Sequence, residues 1–181
     1  MVSMKKQVDK IQFGWIGSQA IIRVIGTGNF RNSRYLKEAA YELLRERYKD
    51  IIIDLAECTS MDSTFLGVLI GLTLKMKKDI GRPISLVNIN KTVYDVLKTL
   101  GTLNAFDVND QPASFDTPFE SIEFSADESD EAISKIKHVL EAHENLMALN
   151  DENKERFKFV KQALEDDLKN KLKQQEKGNP S

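Results

Sequence analysis

Apolar and polar positions alternate from the amino end of the chain. Val8, Ile11, Phe13 and Trp15 fall at near-alternate places over residues 7–16, the period of a half-buried strand. The Gly17-Ser18 turn leads into Ala20-Ile21-Ile22-Arg23-Val24-Ile25, a second strand expected to form a hairpin with the first. Gly26-Thr27-Gly28-Asn29 reads as a loop. It has two glycines but no further Gly or Lys of the kind a phosphate-cradling loop uses, so an ordinary turn is the better reading. The period then changes. Leu36, Ala39, Ala40, Leu43 and Leu44 share one face of a helix that Asn32 or Ser33 can cap, with Lys37, Glu38, Glu42, Arg45, Glu46 and Arg47 on the other side.

The most informative stretch runs from Lys49 to Gly81. Asp50-Ile51-Ile52-Ile53-Asp54-Leu55 is long enough for a buried strand and too short for a helix. A break at residues 56–61 is followed by Asp62-Ser63-Thr64, and Phe65-Leu66-Gly67-Val68-Leu69-Ile70-Gly71-Leu72 then runs on to Lys75, Met76, Lys77 and Lys78. This is the pattern of a helix passing from core to solvent. Asp62 is placed to cap it, because its carboxylate can accept from amides of the first turn. Gly67 and Gly71, four apart, share a face on which the helix is expected to lie close against the sheet. Ser63 then stands at the positive end of a helix dipole, where a phosphate is tolerated.

Beyond Gly81, residues 83–89 read as a strand, and residues 92–101 as a short helix with a glycine stop. Leu103 to Val108 offer one more short strand, and residues 109–118, with Pro112 and Pro118, are a loop. Residues 119–124 alternate as an edge strand whose charges discourage edge pairing. Asp127, Glu128 and Asp130 favour a helix start, and Ala132, Ile133, Ile136, Val139, Leu140 and His143 give that helix a face to dock on the sheet. From residue 150 the pattern is purely helical: Phe157, Val160, Leu164, Leu168 and Leu172 recur among Lys and Glu, and no Gly or Pro interrupts the chain between Pro118 and Gly178. The stripe is narrow and short for a self-standing coiled coil, so docking on the domain or a partner is favoured over self-pairing. Residues 177–181 are expected to fray.

Strands alternating with helices over residues 32–108 predict an α/β sandwich, a mixed β-sheet with helices mainly on one side. Ile53-Asp54-Leu55, a short loop, and then Asp62-Ser63-Thr64-Phe65-Leu66-Gly67 resemble the signature of STAS domains, in particular that of the bacterial anti-sigma factor antagonists, whose pattern is Asp-Ser-(Ser/Thr)-Gly-Leu-Gly. The resemblance implies a STAS-like fold over residues 1–146, with 147–181 as a C-terminal helical extension. It also implies that Ser63 is phosphorylated by a partner serine kinase. Such a chain binds an ATPase-fold kinase that is itself the anti-sigma factor, is reset by a PP2C-type phosphatase, and so releases a sigma factor or another output. The partner surface implied is Asp62, Ser63, Thr64 and Phe65 together with Asn29 and the loop to Asn32. Phe65 departs from the family's Gly and is expected to make the surface beside Ser63 bulkier and more apolar. The alternative is a STAS scaffold subunit, never phosphorylated, held in an assembly through its C-terminal helix, which is also the candidate homodimer contact.

Composition narrows the function further. A chain of 181 residues with 41% hydrophobic and 30% charged residues has room for one real core and an appendage. A net charge of −2 gives no basic face for nucleic acid. No apolar run reaches the roughly 20 residues of a membrane helix, and Lys5 and Lys6 are not followed by the apolar core of a secretory signal. Cys58 is the lone cysteine, which suits a reducing compartment, so a cytoplasmic location is expected; with no basic neighbour it reads as an inert buried thiol. His138 and His143, five apart on one helix, diverge too far to share a metal. Asp62 has neither a His nor a second carboxylate near it in sequence and reads as a cap. Thr64 reads as structural, with a second phosphorylation site as the alternative. No catalytic constellation and no cofactor site emerges, and a binding module is expected in place of an enzyme.

Overall fold

A computed structural model of the chain describes residues 9–46, 48–122 and 132–177. Val8, Arg47, Phe124, the acidic helix start at Asp127–Asp130 and residues 178–181 lie outside them. The strands β1 (Lys10–Ile16) and β2 (Gln19–Gly28) form the expected antiparallel hairpin, with Gly17 at φ 59° in its turn. Beside β2 runs β3 (Asp50–Asp54), parallel, followed outward by β5 (Ser85–Val87) and β6 (Asp107–Asn109). On the other side β7 (Glu120–Ile122) closes the sheet antiparallel to β1. The order is β6-β5-β3-β2-β1-β7, a mixed sheet, with β4 (Cys58–Met61) added beside the far end of β2.

That last strand corrects two expectations. Residues 26–29 are not a free loop, and neither are residues 56–61. Strand β2 continues through Gly28, and Gly26, at φ 76°, makes the irregularity at which the edge of β2 passes from β3 to β4. The Gly26 amide donates to the Glu57 carbonyl (2.9 Å), so the break after β3 is stitched to the bulge. Cys58-Thr59-Ser60-Met61 carries no alternation strong enough to announce a strand; it is extended because β2 offers it an edge. Residues 103–105 form a single 3-10 turn where a strand was expected, and the strand proper begins at Asp107.

The helices are α1 (Phe30–Arg45), α2 (Ser63–Asp79), α3 (Lys91–Thr99), α4 (Ala132–Met147) and α5 (Asp151–Lys177). On one face of the sheet Ile11, Phe13, Ile22, Val24, Ile51, Ile53 and Leu86 meet Leu36 and Ala40 of α1, and Leu66, Leu69 and Ile70 of α2, in one core. Alternation turns Ile21 and Arg23 to the other face. There the Arg23 guanidinium lies 3.9 Å from the centre of the Phe119 ring and pairs with Asp54, and Asn88 bonds Asp54 and both backbone groups of Ala113. The loop of residues 110–119 is thereby strapped across the second face.

Gly67 and Gly71 do bring α2 into a close approach, but to α4 and not to the sheet. A Cβ on Gly67 would overlap the Ala142 carbonyl and lie 2.9 Å from the Ala142 Cα, and one on Gly71 would meet the Asn145 amide at 2.5 Å. The inward face of α4 accordingly docks on helices where the sheet was expected. Asn145 donates to the Gly67 carbonyl (3.1 Å), Lys37 of α1 pairs with Glu141 (2.6 Å), and Ile136, Ala142, His143 and Leu146 are buried. In turn α5 folds back on α4. Phe157 enters the core, Asn153 donates to the Leu100 and Leu146 carbonyls, and Lys161 pairs with Glu144. Farther along the stripe Val160 and Leu172 are exposed, with Leu164 and Leu168 half-buried.

A methyl group added at Gly67 therefore meets backbone, which cannot swing aside. Gly67→Ala should lower the melting temperature and raise amide exchange across α4, even though Ala is the better helix former by about 1 kcal/mol. Leu69→Ala, deep under α2, should cost about 2–5 kcal/mol in urea unfolding by opening a cavity in the shared core. An unchanged melting temperature in either variant would contradict the packing described.

Candidate functional site

The amino ends of two helices converge on one carboxylate. Asp62 is extended (φ −86°, ψ 169°), and its Oδ1 accepts from the Phe65 amide of α2 at 2.8 Å. Its Oδ2 accepts from the Phe30 amide, the first residue of α1, at 2.9 Å. Its own amide donates to the Gly28 carbonyl at the end of β2 (2.9 Å). The expected cap is thus confirmed for α2 and extends to a second helix. Asn29, not Asn32 or Ser33, is the residue that caps α1. Its Oδ1 accepts from the Arg31 and Asn32 amides, and Asn32 returns the bond by accepting from the Asn29 amide (2.8 Å), a reciprocal capping box. The Asn29 side-chain amide also donates to Asp9, which fixes the loop side of the junction.

These bonds bring Asn29 and Asp62 together, as the candidate surface requires, and leave Ser63 half-buried in the first turn of α2. Thr64 and Phe65 turn inward. Phe65 is wholly buried, with its ring where a Cβ on Gly28 would fall 2.8 Å away, so it cannot be the bulky apolar neighbour that was expected on the surface. The residue that replaces the family's Gly fills space left by a glycine in β2. The exposed aromatic group at the junction is Phe30, 47% exposed with Arg31 beside its ring, and nothing in the period of α1 singled it out.

The second missed residue is His143. Eighty positions from Ser63 in sequence, it reaches back from α4 so that its Nε2 lies 3.1 Å from the Ser63 Oγ. Its Nδ1 lies 2.8 Å from the Val139 carbonyl, which can only accept, so in the neutral ring the proton sits on Nδ1 and the lone pair on Nε2. The Ser63 hydroxyl is therefore the donor. Phe157 of α5 packs edge-on against this ring, with centroids 5.1 Å apart. The trace in the sequence was slight: a polar residue on the apolar face of α4.

His138, one turn and a half earlier, makes the matching contact to α1. Ser33 spends its hydroxyl proton on the Phe30 carbonyl (2.9 Å), so His138 donates from Nε2 to the Ser33 oxygen (2.8 Å). The two histidines thus diverge onto different helices. Among the described residues no group of three His, Cys, Asp or Glu side chains is placed to hold a metal. Cys58 is buried, and burial pushes its thiol pKa up, away from the reactive thiolate.

Against this geometry, a sequence model of the STAS domain matches residues 7–115. The chain belongs to the STAS domain family. Among solved structures, the crystal structure of a proposed anti-sigma factor antagonist from Thermotoga maritima aligns at 22% identity and TM-score 0.51, over 55% of this chain and 85% of that one. The NMR structure of TM1081 aligns at the same identity and TM-score over 79% of its length. The anti-sigma factor antagonist SpoIIAA, in its unphosphorylated form, aligns at 16% identity and TM-score 0.49, over 56% of this chain and 89% of that one. No curated protein matches the sequence. Among the described residues no helix is long and apolar enough to cross a membrane.

Burial, followed by the nearby Lys37 ammonium, pushes the His138 pKa below its ordinary 6.5, with Glu141 opposing; Arg34 and Glu38 complete the charges around it. The native ring therefore refuses a proton that the unfolded chain accepts. Stability is intact above about pH 6.5 and falls as pH drops from there toward the lowered native value. Urea unfolding at about pH 7.5 and 5.5 should show this loss, and His138→Gln should reduce it. An identical pH dependence in the variant would remove His138 as the cause.

Proposed function

We propose that the chain is a phosphorylation-regulated anti-sigma factor antagonist, a cytoplasmic partner-switching protein and not an enzyme. With Ser63 unmodified, the junction of Asn29, Phe30, Asp62 and Ser63 binds a serine kinase of the ATPase-fold type that also acts as an anti-sigma factor, and so frees a sigma factor or another output. A PP2C-type phosphatase returns the modified chain to this state. Thr64 and Phe65 support that surface from beneath. The observation that carries the reading is the place of Ser63: directly after the shared cap, in the first turn of α2, on a STAS fold. There a phosphate of about −1.5 to −2 charge faces the positive end of the helix and does not melt it. It would nonetheless put an unmatched anion into the interface, which ends binding without unfolding the sheet.

We read the pair of Ser63 and His143 as a structural contact and not as the nucleophile and base of a hydrolase. The ring's other nitrogen is oriented by a backbone carbonyl and not by a carboxylate. A second reading, a STAS scaffold held through its C-terminal helices and never phosphorylated, draws on the same contact, since α4 occupies the Ser63 hydroxyl. It also draws on Phe159 and Val160, exposed on α5, as a surface for a second copy or another subunit. In both readings residues 1–146 form the STAS domain and residues 147–181 its C-terminal helical extension.

Incubating the chain with ATP and its kinase should add one phosphoryl group, mapped to Ser63 and absent from Ser63→Ala. A group mapped to Thr64 or elsewhere, with Ser63 untouched, would overturn the assignment; no group at all would favour the scaffold.

A further inference from the structure

We propose that the α4–α5 hairpin reads the state of Ser63: it is latched while the hydroxyl is free and released when Ser63 is phosphorylated. The proposal rests on Ser63 being the phosphoacceptor, and it adds a role for the helices that the partner-switching reading leaves idle. The latch is the bond from the Ser63 hydroxyl to Nε2 of His143, a residue only 5% exposed. Phosphoryl transfer from ATP breaks the Oγ–H bond and the bond from the γ-phosphorus to the bridging oxygen. It forms the Oγ–P bond, releases ADP and sends the proton to the kinase's base or to water. The serine oxygen then has no hydrogen to give, and two lone pairs face each other where one bond stood. A buried acceptor left without a partner costs more than the bond itself was worth.

The surroundings leave little room for relief. Turning the ring would part Nδ1 from the Val139 carbonyl, and Phe157 packs edge-on against it. Sliding α4 outward would break the Asn145 bond to the Gly67 carbonyl and open the close packing of Ala142 on Gly67. Cores of this kind shift between arrangements; they do not stretch. Release uncovers the small-residue face of α2 at Gly67 and Gly71 and the apolar face of α4 carrying Ile136 and Leu146. The coupling is reciprocal: whatever factor phosphorylation imposes on docking, docking imposes on phosphorylation.

The test needs no kinase. Phosphoserine is encoded at position 63 of the full chain, and amide exchange is followed by mass spectrometry beside the unmodified chain. We expect exchange across Ala132–Met147 and the first turns of α5 to rise about tenfold or more, with β2, β3 and the buried part of α2 unchanged. Protection of α4 that is equal or greater, as would follow if the imidazole took up a proton and clasped the phosphate, overturns the proposal. In His143→Leu, which keeps the bulk and removes the acceptor, the unmodified chain should already exchange faster in α4, and phosphoserine should add little. A full further rise in that variant would mean that the release does not run through His143. Because the phosphate is installed directly, failure here is distinct from failure of the functional reading, which is tested by whether a kinase places its phosphoryl group on Ser63.

Discussion

One carboxylate holds the working end of this molecule together. Asp62 accepts from the first turn of α2 with one oxygen and from the first residue of α1 with the other, while its amide closes on the last residue of β2. A single capping bond contributes roughly 0.5–2 kcal/mol. The consequence here is more geometric than energetic, because the same group sets where two helices begin relative to one strand. Ser63 follows it by one residue, so its place is fixed by main chain. The packing beneath agrees: Phe65 rests against Gly28, and only a glycine at that point of β2 lets an aromatic ring lie under the junction.

The other constraint is the approach of α4 to α2. Two glycines on α2 remove the side chains that would hold α4 at an ordinary distance, and each histidine of α4 bonds a serine on a different neighbour, His138 to Ser33 of α1 and His143 to Ser63 of α2. The helix is therefore bonded to both elements that start at the junction. Phe157 of α5 completes the layer from outside. The C-terminal helices and the presented serine form one connected structure, although nothing in the sequence spacing joins them.

Much of this was legible. The hairpin, the buried strand at Asp50, the start of α2 at Asp62 and the long final helix each rest on local signals of period, cap or turn. What escaped depends on contacts between distant segments. Cys58–Met61 is a strand only because β2 lends it an edge, and Thr27 and Gly28 carry β2 past the Gly26 irregularity because Ser60 and Met61 pair with them in return. Asn29 and Asn32 are both good capping residues, and which of them ends the loop is decided by their reciprocal bond. The direction of Phe65 could not be told without knowing that Gly28 lies beneath it. The glycine pair announced a close approach but not its partner. His143 showed only as a polar residue on an apolar face, and its hydroxyl partner lies eighty residues away.

The central claim is that Ser63 is a switch presented by a fixed junction. The direct measurement is the affinity of the chain for the kinase proposed to modify it, determined by titration calorimetry with unmodified chain and with chain carrying phosphoserine at position 63. The account predicts a loss of about tenfold or more on phosphorylation, equivalent to at least 1.4 kcal/mol, while the far-ultraviolet circular dichroism keeps the signature of the folded domain. Equal affinities for the two forms would contradict it.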